Sequence, residues 1–190
     1  MKQLLTALIA ATMTSMFVTS TFAEDGKWSS NLLLKSDAEV ELNNDWKVWK
    51  GKFKRATSYE NTFPRHGNYF FQLSDTTKVT QDINVSEYAS VIDNGKAKIK
   101  IGAWFALGKG TPECSLRAIY YDENASYLAE DSKIINCDAA KWTEQQMNKL
   151  IPPKTRTIMA EIRAITYKKC PYSTTQCKVM LDDAYFQLKH

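Results

Sequence analysis

Residues 96–107 read KAKIKIGAWFAL, and this strict alternation limits what the chain can become. In an extended backbone Ala97, Ile99, Ile101, Ala103, Phe105 and Leu107 fall on one face, leaving Lys98, Lys100, Gly102, Trp104 and Ala106 on the other. A period of two with one wet face specifies a half-buried strand, because a helix would bring apolar side chains back every three or four residues. TRTIMAEIRAITY, residues 155–167, repeats the pattern. Ile158, Ala160, Ile162 and Ala164 take the core side, with Met159, Glu161, Arg163 and Ile165 opposite.

Similar runs are expected at 31–34, 46–55, 68–74, 78–84, 114–121, 127–136, 142–150 and 178–188. SEYASVID offers one turn of helix with Ser86 as its N-cap. TEQQMNKL has helical propensity, yet it lies between strands and stops at Pro152-Pro153, so a strand is expected there too. About ten short strands divided by Gly, Pro, Asn and Asp turns predict an all-β protein, a two-sheet antiparallel β-sandwich.

The first 23 residues combine Lys2, an apolar run and a Thr21-Phe22-Ala23 ending, the pattern of a secretory signal peptide. A membrane anchor needs about 20 strongly apolar residues, and Thr and Ser dilute this stretch from Thr12 onward. Removing 23 of 190 residues leaves 167, residues 24–190, the size of one domain. No later stretch is apolar enough for a transmembrane segment. The expected location is secreted, either extracellular or periplasmic.

The whole chain carries 25 basic and 21 acidic residues, a balance too even for a protein that binds nucleic acid by neutralising phosphates. Four cysteines allow three pairings. Cys114–Cys137 and Cys170–Cys177 are favoured, since each pair brackets one local connection in a chain bound for an oxidising compartment. The spacings do not suit zinc, and the histidines are His66 and His190.

DWKVWKGKFKR, residues 45–55, concentrates aromatic and cationic side chains. As a strand it would turn Trp49, Gly51, Phe53 and Arg55 one way. Lys50, Lys52 and Lys54 would turn the other way, with Trp46 and Val48 joining them. Alternating lysines discourage edge pairing; they equally suit an anionic ligand.

Five stretches then follow in a recognisable order. NLLLKSDAE (31–39), HGNYFFQL (66–73), TQDINVSEYASVIDNGKAKIKIGAWF (80–105), WTEQQMNKLIPPKTRTIMAEI (142–162) and VMLDDAYFQL (179–188) resemble the successive signatures of carbohydrate-binding modules of the galactose-binding-domain-like jelly-roll superfamily. The resemblance covers nearly all of residues 24–190. It departs where Lys35-Ser36 stands for Asn-Gly and Ala38 for Phe, in the added cysteines, and in the lysine density of 46–55. It implies a jelly roll and a structural calcium held by Glu39 and Asp182, with Asp183 adjacent, carboxylates being the oxygen ligands calcium takes. No organic cofactor is implied.

Sugar rings present C–H faces to flat aromatics and hydroxyls to planar polar groups. Trp104 is one expected platform, with Glu161, Arg163 and Arg117 as its polar rim on neighbouring strands. The loop ATSYENTFPRHG, residues 56–67, is a second expected region, where Tyr59, Phe63, Arg65 and His66 would lie beside Trp49 and Arg55.

Catalytic signatures such as GxSxG, HExxH or a P-loop are absent from the sequence. Asp182-Asp183 and Glu130-Asp131 are adjacent in sequence, so as strand residues they would point to opposite faces rather than flank one bond. The sequence thus reads as a secreted, non-catalytic binding protein. Its expected partner is a glycan or polysaccharide, with an acidic one favoured by the lysines. The alternative is a protein-interaction or adhesin-like factor that docks on a surface protein through the same scaffold.

Overall fold

The computed structural model describes residues 26–41, 44–107, 112–137, 141–165 and 178–190. The leader 1–23 and the Cys170–Cys177 pairing lie outside them. Eight strands follow in order: β1 (Lys47–Ala56), β2 (Phe70–Asn84), β3 (Lys98–Leu107), β4 (Glu113–Tyr121), β5 (Tyr127–Ile135), β6 (Thr143–Leu150), β7 (Thr157–Ile165) and β8 (Lys178–Lys189). All pairings are antiparallel.

The strand order is β5-β4-β7-β2-β8-β3-β6, with β1 also on β2. The two runs expected at 68–74 and 78–84 are one strand. β2 pairs with β8 through Phe71–Ser74 and with β7 through Thr77–Asn84, so it belongs to both layers of the sandwich. One layer is therefore β6-β3-β8 with the first part of β2, and the other is β5-β4-β7 with the second part.

β1 follows β2 across this junction and breaks register at Val48–Lys50 and Lys50–Lys52. Gly51 lies between, at φ +76°, where a Cβ would meet Thr77 Oγ1 at 2.5 Å. Only glycine combines that backbone with that approach. The bulge also shifts the alternation of side chains. Trp46, expected beside the lysines, is buried against Phe53 and Phe71 at centroid distances of 5.7 and 6.2 Å.

The alternating apolar residues of β3 and β7 enter the core as expected, joined by Leu116 and Tyr120 of β4 and by Leu181 and Phe186 of β8. Each buried Ile, Leu or Phe among them stabilises the fold by about 1.5–3 kcal/mol. A smaller apolar cluster, Phe70, Ala106 and Met180 with Tyr59 and Trp142, lies on the outer side of the first layer, beneath the segment that follows β1.

Cys114–Cys137 is formed, with its Cα atoms 6.0 Å apart, and it closes the open end of the β4–β5 hairpin. The hairpin turns where expected, at Asp122, whose Oδ1 accepts from the amides of Asn124 and Ser126. A loop of this length adds about 3 kcal/mol in the chain-entropy account.

Two local expectations are corrected. Residues 31–34 form no strand: Leu32 N donates to Phe186 O at 2.8 Å, but the chain bends at Leu33 and turns at Leu34, and Asn31 makes the neighbouring bonds to β8 through its side chain. Its Nδ2 donates to Ala184 O and its Oδ1 accepts from Phe186 N, while Lys35 and Ala38 turn the chain at φ +49° and +63°. Ser86 opens a 3-10 turn (Ser86–Tyr88) leading into α1 (Ala89–Asp93), without acting as a side-chain cap. Asn84 Oδ1 accepts from Ser86 N instead, at 2.9 Å.

Candidate functional site

Strand register brings one set of the expected ligand residues together on the outer face of β2, β7, β4 and β5. Thr80, Glu161, Arg117 and Ser132 form one row across the four strands; Lys78, Arg163, Ser115 and Ile134 form the next. Paired residues of one row share a face of the sheet at about 5 Å spacing. At the edge stands Trp49, 62% exposed, whose indole N–H donates to the buried Thr80 Oγ1 at 2.8 Å. Lys78 Nζ lies 5.6 Å from the centroid of the same ring.

Glu161 was expected on an open face and is 2% exposed. Its Oε2 lies 2.9 Å from Lys78 Nζ and 3.7 Å from Arg117 Nη1, yet makes no hydrogen bond among the described residues. Arg117 in turn donates to Glu130 Oε2. Two cations therefore neutralise a carboxylate that the fold has withdrawn from water, and that carboxylate retains hydrogen-bonding capacity. Arg163 makes no ion pair with any described residue.

Trp104 is elsewhere. It lies on β3 in the other layer, paired with Glu144 and Asp182, so Glu161, Arg163 and Arg117 are not its rim. The Arg65 guanidinium sits over its ring at 3.8 Å. Trp49 is likewise separated from the loop residues it was expected to join. Arg55 is tied down by Ala38 O and Glu39 O, at 2.6 and 3.0 Å, and lies 3.8 Å over the Tyr69 ring. Tyr59 closes a tight turn with Thr62. Phe63 is exposed, with its carbonyl accepting from Trp142 Nε1. His66 Nδ1 meets Asp183 Oδ2 at 2.7 Å.

The implied calcium ligands converge on this loop. Asp182, fully buried, accepts from the amides of Arg65 and Asp183 at 2.9 Å. Burial pushes its carboxyl up to about 6. Asp183, at φ +46°, breaks the alternation, so both carboxylates reach Arg65 rather than opposite faces. Glu39 Oε1 accepts from the amides of Asn68 and Tyr69, both at 2.9 Å, which hold that carboxyl below its ordinary range. These carboxylates accept from N–H donors and a guanidinium, and no three potential ligand side chains cluster among the described residues. The donor set does not fit calcium, which takes six to eight oxygens.

No protein-family model and no curated protein matches this sequence. Solved structures do. A carbohydrate-binding module, TmCBM61 in complex with β-1,4-galactotriose, superposes with a TM-score of 0.59 at 14% identity, covering 83% of this chain and 98% of the module. A family 16 carbohydrate-binding module gives 0.57 at 16% identity, covering 82% of this chain and 99% of that one. The fold is that of carbohydrate-binding modules. The same jelly roll recurs within larger proteins. In the enzymatically active domain of bacteriophage CBA120 tailspike protein 4 (TM-score 0.59, 14% identity) the match covers 83% of this chain and 21% of the tailspike chain.

On this carbohydrate-binding-module scaffold, the sequence reading missed Lys78 and Thr80. Both are legible from the alternation of β2, which turns Lys78, Thr80 and Asp82 away from Val79, Gln81 and Ile83. Arg65, expected among the contact residues of the loop, lies over Trp104, a pairing the sequence does not signal because it depends on where the loop returns.

Proposed function

We propose that this chain is an exported, non-catalytic binding protein that takes a carbohydrate on the outer face of β2, β7, β4 and β5. The observation that carries this reading is an exposed Trp49 ring fixed beside Glu161, a buried carboxylate with an unused acceptor. The ring supplies a stacking surface for sugar C–H bonds, and Glu161, Arg117 and Arg163 supply planar partners for hydroxyls. Support for a binding role comes from the shared fold with modules such as the xylan-binding CBM22-1 domain of Paenibacillus barcinonensis Xyn10C (TM-score 0.54, 12% identity, covering 81% of this chain and 90% of that domain). Fold alone does not carry function, so the site has to be tested.

An acidic glycan is the finer reading, since Arg163 is an unpaired cation on this face among the described residues. A surface protein as partner is the second reading, favoured by Phe63, which is 65% exposed on the covering loop.

The experiment is a glycan array followed by calorimetry on the wild type and Trp49→Ala. A sugar signal that falls at least tenfold in the variant supports the proposal. Equal binding by both proteins, or no sugar signal at all, overturns it, and the second result directs the search to protein partners. Turnover of any polysaccharide by the purified wild type would overturn the non-catalytic part.

A further inference from the structure

The other layer carries a separate concentration of charge. On its outer face Lys52 and Lys178 flank Ser74 from either side of β2, and Lys54 flanks Gln72 in the adjoining row. Neighbouring strands are about 4.8 Å apart, so the Lys52 and Lys178 backbones stand about 10 Å apart, within reach of one small anion between their side chains. Lys178 Nζ is positioned 4.4 Å from the centre of the Tyr59 ring.

The floor between these lysines is polar and built in. Gln72 is 2% exposed and Ser74 7% exposed, so a covered amide and hydroxyl lie between the lysine-bearing positions. Neither Lys52 nor Lys54 is ion-paired to a described residue. Burial and the nearby Lys54 charge hold the Lys178 ammonium below its ordinary range, against the opposing influence of Glu60. An anion here would meet three ammonium groups, an amide and a hydroxyl.

We infer that the outer face where β1, β2 and β8 meet is a second site, which takes the sulfate or carboxylate group of an acidic sugar between Lys52, Lys54 and Lys178 over Gln72 and Ser74. It extends the reading of the chain as a glycan binder and does not depend on the Trp49 face. The two sites lie on different layers, so they fail separately.

The probes are a sulfated hexuronate tetrasaccharide, an unsulfated tetragalacturonate and a neutral galactotetraose, titrated at about 50 mM salt, where surface charges are weakly screened. The proteins are the wild type, K52Q/K54Q, K52Q/K54Q/K178Q, a control K27Q/K96Q/K154Q with the same charge change elsewhere, and Trp49→Ala. The double variant alters exposed side chains alone, which guards against a folding defect in the triple. Affinity for an acidic probe is expected to fall about threefold in the double and at least tenfold in the triple, and to stay within twofold in the control K27Q/K96Q/K154Q. Loss confined to the sulfated probe assigns a sulfate, and loss confined to the galacturonate a carboxylate. Wild-type affinity in the triple variant, equal loss in the control, or no binding of either acidic probe to the wild type overturns the site. Loss of neutral binding in Trp49→Ala bears on the other face alone.

Discussion

The indole N–H of Trp49 donates to Thr80 Oγ1 at 2.8 Å, so the most exposed tryptophan of the molecule is anchored to a side chain with no solvent exposure. An anchored ring loses less freedom when a sugar stacks on it, which lowers the cost of binding. Thr80→Val keeps the shape and removes the acceptor. Carbohydrate affinity is expected to fall about three- to tenfold and stability to drop by about 1 kcal/mol. Time-resolved tryptophan anisotropy checks the premise: it should show a more mobile indole in the variant. An unchanged affinity with a freed ring would separate anchoring from binding.

Lys78 and Arg117 together neutralise Glu161, but the closer contact is Lys78 at 2.9 Å. Lys78→Met leaves the carboxylate buried with the more distant cation. Removing one partner of a fully buried pair costs about 3–5 kcal/mol. The Lys78 side chain is 32% exposed, so solvent screening reduces the expected loss to about 2 kcal/mol. The double variant Lys78→Met/Glu161→Met should recover most of it. Urea unfolding of the single and double variants measures both steps, and a single variant as stable as the wild type would show that Arg117 alone suffices.

The alternation in β3 and β7 made the core and the sandwich legible, because burial on one face leaves a period of two in the sequence. The same rule misplaced Trp46, since Gly51 opens a bulge that reverses the side-chain order upstream of it. It also put Trp104 with Glu161 and Arg163. All three do face outward, but strand order decides which outer face each one occupies. That order depends on β2 joining both layers, a long-range pairing that periodicity does not encode. The burial of Glu161 was hidden for a related reason. Its cover comes from Lys78 and Arg117 on the two neighbouring strands, which enter the sequence far from residue 161.

Asp93 closes α1 onto the segment between β6 and β7. Its Oδ1 accepts from Lys154 N at 2.8 Å and its Oδ2 from Arg156 Nη2 at 2.7 Å. The Arg156 hydrogen bond, then the Lys154 amide, hold the carboxyl below its ordinary 3.8. A carboxyl lowered by folding contributes stability that is present above pH 3.8 and is lost as pH falls through the native value. Asp93→Asn should therefore flatten the decline of the urea midpoint below about pH 4. The midpoint should stay nearly parallel to the wild type between pH 5 and 7, where Asp182 titrates in both proteins. An acid limb identical to the wild type would mean that the Asp93–Arg156 contact does not persist in solution.

Gly102 sits under Tyr185 on the outer side of the β3–β8 pair. A Cβ at this position would lie 2.5 Å from Tyr185 Cζ and Oη and 2.7 Å from Gln145 O. The phenol cannot give way freely, because its hydroxyl is held by Glu144 Oε1 at 2.8 Å and Gln146 Oε1 at 3.2 Å, and the carbonyl belongs to the β6 backbone. Gly102→Ala is thus expected to destabilise by about 1–3 kcal/mol, the range for overpacking a tight contact. Tyr185→Ala removes most of the obstruction, so Gly102→Ala should cost less in that background. The remaining cost reports the Gln145 carbonyl. A double-mutant cycle in urea measures the coupling. If Gly102→Ala costs the same with and without the phenol, the ring is not what excludes a side chain at residue 102.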